Sequence, residues 1–119
     1  MKHAELDGRS ILHFEQVLEV RKQGQTEYAT AKNPLANFEE IAEDLKMTRE
    51  QVLWVYAYKH IQGIGAYIGG YESQREDVTG RLKDAINYLF ILWAMIEEGR
   101  EQEENLRKER QEEIDALPF

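Results

Sequence analysis

The sequence predicts an all-α protein: a four-helix-bundle-like domain over residues 1–99 with an appended charged C-terminal helix over 100–119. Three observations carry this. Apolar residues recur at helical spacing in four successive stretches. No stretch alternates apolar and polar residues over a useful strand length. Helix-start chemistry, Thr48-Arg49-Glu50-Gln51 above all, stands just where an apolar period begins.

Residues 1–8 read as an irregular lead-in. Ser10 can cap a first helix from Ile11 to about Gln23, with Leu12, Phe14, Val17, Leu18 and Arg21 on a rough core face and Gly24 closing it. A polar connection follows, and Asn33-Pro34 signals a turn. The second helix starts after Asn33 with Pro34 in its first turn. Leu35, Phe38, Ile41, Ala42 and Leu45 face inward, and Glu39, Glu40, Glu43 and Asp44 face out. The third helix opens on the Thr48–Gln51 capping box and ends at Gly69-Gly70. The fourth is expected from Ser73 or Gln74 to Gly99. Beyond Arg100 the chain is acid-rich, and Glu103–Arg107 and Glu104–Lys108 are i,i+4 pairs that suit a solvated helix.

The composition bounds the function. A chain of 119 residues makes one domain with a modest core. It lacks cysteine, which excludes disulfides and thiolate metal sites and fits a reducing, cytoplasmic compartment. Its net charge of −8 argues against binding a nucleic acid polymer or an anionic membrane. The longest apolar run, Leu89 to Ile96, is far short of the roughly 20 residues that span a bilayer.

Candidate chemistry gathers on helices three and four. At 100° per residue, Asp77, Arg81, Asp84 and Tyr88 lie within about 60° of one another. Downstream of Asp84 the helix turns apolar nearly all round, so this carboxylate is expected at the edge of a dry core. Lys59 emerges from a stripe containing Val52, Val55, Tyr56, Gly63 and Ala66, and is expected to pair with Asp84 across a groove. His60 stands one position round, among apolar neighbours that suit a packing role. The ordinary alternative is an amphipathic face with i,i+4 ion pairs. The apolar circumference of Ala85–Ile96 exceeds what three partner helices can cover, so a dimer-based homo-oligomer is expected.

Several fragments resemble a known group. Glu27-Tyr28-Ala29 and Asn33-Pro34-Leu35-Ala36-Asn37-Phe38, then Trp54-Val55-Tyr56 with Lys59-His60, then Glu76 with Gly80-Arg81, Asp84 and Tyr88, are similar to segments of small bacteriophage proteins. These are of the nucleotide-modification-associated type, distantly like the MazG-type all-α nucleoside triphosphate pyrophosphohydrolases. The resemblance implies a nucleotide ligand touched by Lys59, His60, Arg81, Asp84, Tyr88, Tyr56, Asn37 and Tyr28, in the cytoplasm of an infected bacterium. A MazG-type centre holds Mg²⁺ on a Glu-x-x-Glu and a Glu-x-x-Asp. Glu40-Ile41-Ala42-Glu43 has the first spacing, but Arg81 stands where the second needs an acid. Such an exchange favours holding a phosphate over metal-assisted hydrolysis. The expected function is therefore nucleotide binding without a cofactor, either sequestering an immune signal in anti-defence or handling modified nucleotides. The alternatives are a Mg²⁺-dependent (d)NTP pyrophosphohydrolase using Glu40, Glu43, Asp77 and Asp84, and a helical interaction protein with no ligand.

Overall fold

The computed structural model describes residues 1–28, 33–71 and 76–118, with the backbone alone described for 25–28. It is all-α: α1 (His3–Tyr28), α2 (Ala36–Leu45), α3 (Arg49–Ile68) and α4 (Val78–Asp115). Among the described residues there is no strand, and no helix is long and apolar enough to cross a membrane.

Helix α1 begins well before Ser10 and runs through Gly24, so the lead-in and the glycine stop are corrected. Gly8 and Gly24 lie in open space within the helix. A glycine costs about 1 kcal/mol in a helix interior, which the flanking turns outweigh. Ser10 caps nothing; its hydroxyl donates back to the Leu6 carbonyl at 2.8 Å. Helix α2 starts two residues later than expected, because Asn33 and Pro34 form a turn in which the Asn33 side chain accepts from the Leu35 amide at 3.0 Å.

The capping box of α3 is complete. Thr48 Oγ1 accepts from the Gln51 amide at 3.1 Å, and Gln51 Oε1 accepts from the Thr48 amide at 2.9 Å. The helix closes through Gly69 and Gly70, the latter at φ 94°, a region that glycine alone enters cheaply. The expected start of the fourth helix at Ser73 or Gln74 lies outside the described residues, and α4 begins at Val78 with Asp77 as its N-cap. It then continues past Gly99 to Asp115, so the appended helix is the far half of α4 rather than a separate element. At 1.5 Å per residue this rod is about 57 Å long.

Helices α3 and α4 form an antiparallel hairpin: Arg49 meets Met95 and Glu98, while His60 meets Asp84 and Tyr88. Helix α1 packs on α4, with Phe14 edge-on to Phe90 at 5.8 Å, and α2 packs on α3. Arg49 bolts three helices together. Its guanidinium donates to Glu39 at 3.0 Å, to Glu98 at 2.7 Å and to the Met95 carbonyl at 3.0 Å. The Glu98 bond above all holds this arginine in its charged form.

The fully enclosed core is small: Val17, Ala42, Val52, Leu53, Ala57, Ala85 and Met95. Much apolar surface stays outside. Along α4, Leu82, Ile86, Leu89, Trp93 and Ile96 alternate by four and three residues and remain 38–63% exposed. Along α3, Trp54, Tyr58, Ile61 and Ile68 keep the same register and are also exposed. A 3.5-residue period is the signature of a coiled-coil seam.

Candidate functional site

The site is built where the hairpin meets α2 and the C-terminal half of α1. On α3, the residues turned toward α4 are Leu53, Ala57 and then His60, so the same stripe that fills the core delivers the histidine. On α4, Asp84 and Tyr88 stand one turn apart and straddle the buried Ala85. The rings form a layer. His60 stacks on Tyr88 at 5.6 Å and 29°, and Tyr88 lies nearly parallel to Tyr56 at 6.2 Å and 18°. Phe38 from α2 closes edge-on against both tyrosines, at 5.9 and 6.5 Å.

This layer borders a groove of about 930 Å³. Its polar lining includes Arg21 from α1, Asn37 from α2, and Asp84 and Asn87 from α4, with Tyr56 and Tyr88 beside them. The Asn87 side-chain carbonyl is buried without a hydrogen-bond partner. Of the residues singled out by sequence, Asn37, Tyr56, His60, Asp84 and Tyr88 are therefore brought together. Tyr28 ends α1, but its side chain lies outside the described residues.

Lys59 does not face Asp84. It is exposed and has no ion-pair partner among the described residues, and His60 occupies the place expected for it, 3.8 Å from Asp84 Oδ2. Lys59 lies at the outer edge of its stripe: Val55, one turn before it, is 62% exposed, whereas Val52 is buried and Gly63 faces Arg81. Arg81 crosses α3 at Gly63. A Cβ on that glycine would meet Arg81 Nη1, and would lie 2.6 Å from its Cδ and Cζ. Gly63 thus exists as the slot through which the arginine passes, and Arg81 Nε is buried there without a partner.

The expected metal set does not assemble. Glu40 and Glu43 are exposed on α2, and neither joins a group of converging ligand atoms with Asp84 among the described residues. Asp77 is also elsewhere: its carboxylate accepts from the Thr79 amide and hydroxyl as the cap of α4. The Thr79 hydroxyl in particular holds Asp77 below the usual carboxylate range.

Two participants are not among the site residues expected from sequence, although Glu76 belongs to one of the resembling fragments. Arg21 had been placed on a core face by its spacing, and it does lie half-buried, but at the groove wall. Glu76 precedes α4 and folds its carboxyl against Asp84. Burial, and then the hydrogen bond with Glu76, push Asp84 above the usual carboxylate range, with His60 and Arg81 partly opposing them. A raised carboxyl pKa means that the ionised form is less comfortable folded than unfolded. The resulting destabilisation is present above the raised value and absent below the ordinary value near 4. Asp84→Asn should therefore melt at a higher temperature than the parent chain at pH 7. The difference should narrow as pH falls through the carboxyl range, which thermal melts at several pH values would follow.

Comparison of the chain with protein-family models, with curated proteins and with solved structures finds no match.

Proposed function

We propose that the chain binds a nucleotide in the groove between α1, α2 and α4. The observation that carries this is the ring layer of Phe38, Tyr56 and Tyr88, set beside the unpartnered side-chain carbonyl of Asn87 in a cavity of small-molecule size. A base packs well on such a layer. Asp84 and Asn87 offer acceptors to exocyclic amines, and Arg21 offers a guanidinium to a phosphate at the groove wall. The carboxylates of a MazG-type centre are not gathered, which favours binding over hydrolysis. Retention of a phage-encoded nucleotide sponge in the host cytoplasm is the role that fits this reading.

The test is a panel of linear and cyclic nucleotides, screened by thermal shift and calorimetry with and without Mg²⁺. A true ligand stabilises by RT ln(1 + [L]/Kd). Arg21→Ala should weaken an anionic ligand by about 1.5–3 kcal/mol, the worth of a charge-assisted hydrogen bond. Release of pyrophosphate would favour the hydrolase, and silence across the panel would leave an interaction protein. The chain also assembles, in our proposal, as a dimer or a multiple of dimers through the exposed apolar seams of α3 and α4.

A further inference from the structure

We propose that His60, Glu76 and Asp84 form a site for one borderline divalent transition ion, of the Mn²⁺ or Zn²⁺ kind. One ligand atom from each residue lies within 4.8 Å of the other two. They arrive from three separate places: the middle of α3, the segment before α4, and the second turn of α4. No local helix spacing accounts for their convergence.

The distances and chemistry point to a shared cation. His60 Nδ1 is buried and has no hydrogen-bond partner. It stands 3.8 Å from Asp84 Oδ2, too far for a hydrogen bond. Ligand atoms held about 2.1 Å from one ion are about 3.4 Å apart at a tetrahedral angle and about 4.2 Å apart when opposite, so 3.8 Å falls inside that range. One imidazole nitrogen and two carboxyl groups thus offer three ligand atoms within 4.8 Å of one another. No arginine or lysine among the described residues forms an ion pair with Asp84, although Arg81 is near enough to favour its charged form. Among the described residues, His60 is the one basic group within ion-pair range of Asp84, and Arg81 is engaged in the Gly63 slot.

The donor set selects the ion. Mg²⁺ and Ca²⁺ favour all-oxygen sites, whereas one imidazole with two carboxylates suits Mn²⁺ or Zn²⁺. Three protein ligands would leave coordination positions open, and Asp84 also lines the groove. The site stands on its own geometry and holds whether or not the groove takes a nucleotide.

The experiment uses the full chain, stripped of ions with a chelator and dialysed. Mn²⁺ is titrated in, with the free ion followed by electron paramagnetic resonance, and Zn²⁺ is titrated by calorimetry. Saturable binding of about one ion per chain is expected. Glu76→Gln and Asp84→Asn should each weaken it tenfold or more, at least the loss usual for groups one shell further out. His60→Ala should do the same, while Glu40→Gln with Glu43→Gln should leave binding unchanged. Circular dichroism confirms that each variant is helical, and Glu76→Gln, which lies outside the helices, preserves the test where a helix variant fails to fold. Absence of saturable binding, as expected if Glu76 and Asp84 merely share a proton, overturns the proposal. So does binding indifferent to Glu76 and Asp84, or binding lost with Glu40 and Glu43. Because no nucleotide is present, failure here is distinct from failure of the groove.

Discussion

Trp93→Glu should convert an assembled species into a 14 kDa monomer at micromolar concentration, read by sedimentation or light scattering. Trp93 is 63% exposed at the centre of the α4 seam, with Leu89 and Ile96 on either side. The dimer we propose would cover this seam. The chain's radius of gyration is 19.5 Å, where a compact chain of this length would have about 13.5 Å. Its accessible surface is 9875 Å², where a compact monomer of this mass would show about 6,700 Å². The excess is larger than the roughly 1,000–2,500 Å² that each copy contributes to an obligate dimer. Loss of a central tryptophan costs about 2 kcal/mol or more, roughly thirtyfold in affinity, and a carboxylate facing its own symmetry mate adds repulsion. A parent chain that already sediments as a 14 kDa particle would sink this expectation.

Leu53→Ala should cost about 2–5 kcal/mol of folding stability, the range for emptying an enclosed leucine site. Leu53 is fully buried on the inner face of α3, next to Val52 and one turn before Ala57. With so few enclosed side chains, the loss is a large share of the 5–15 kcal/mol that a domain typically has. Urea denaturation should show a lower midpoint at an unchanged slope. Leu106→Ala, at a half-exposed position on the projecting part of α4, should change the stability by less than about 0.5 kcal/mol. Equal losses at both positions would mean that α4 is covered along its whole length.

Local chemistry was the legible part of this fold. The Thr48–Gln51 box reads directly because both of its hydrogen bonds lie within four residues. The glycines misled for the opposite reason. Gly24 and Gly99 resemble stops, yet a helix ends only where some other arrangement of its backbone groups is better, and good helix formers follow both. At the site, sequence periodicity placed Lys59 and His60 on adjoining faces but could not say which face meets α4. That is decided by which apolar stripe wins the interior, and Val52, Leu53 and Ala57 win it over Val55. Asp84, Tyr88 and Tyr56 were legible because they adjoin long apolar runs. Glu76 was visible only as part of a resembling fragment, since its approach to Asp84 depends on the path of the chain into α4.

The hairpin of α3 and α4 also orders events in time. Its arms are neighbours in sequence, joined through residues 69–77, so closing them costs little chain entropy and their contacts can form early. Helix α1 must find α4 across the whole of α2 and α3, which places its docking later. His60, Glu76 and Asp84 all belong to the early unit, whereas the groove gains its Arg21 wall only when α1 arrives. During refolding, His60, Glu76 and Asp84 should therefore converge before the Arg21 wall of the groove is in place.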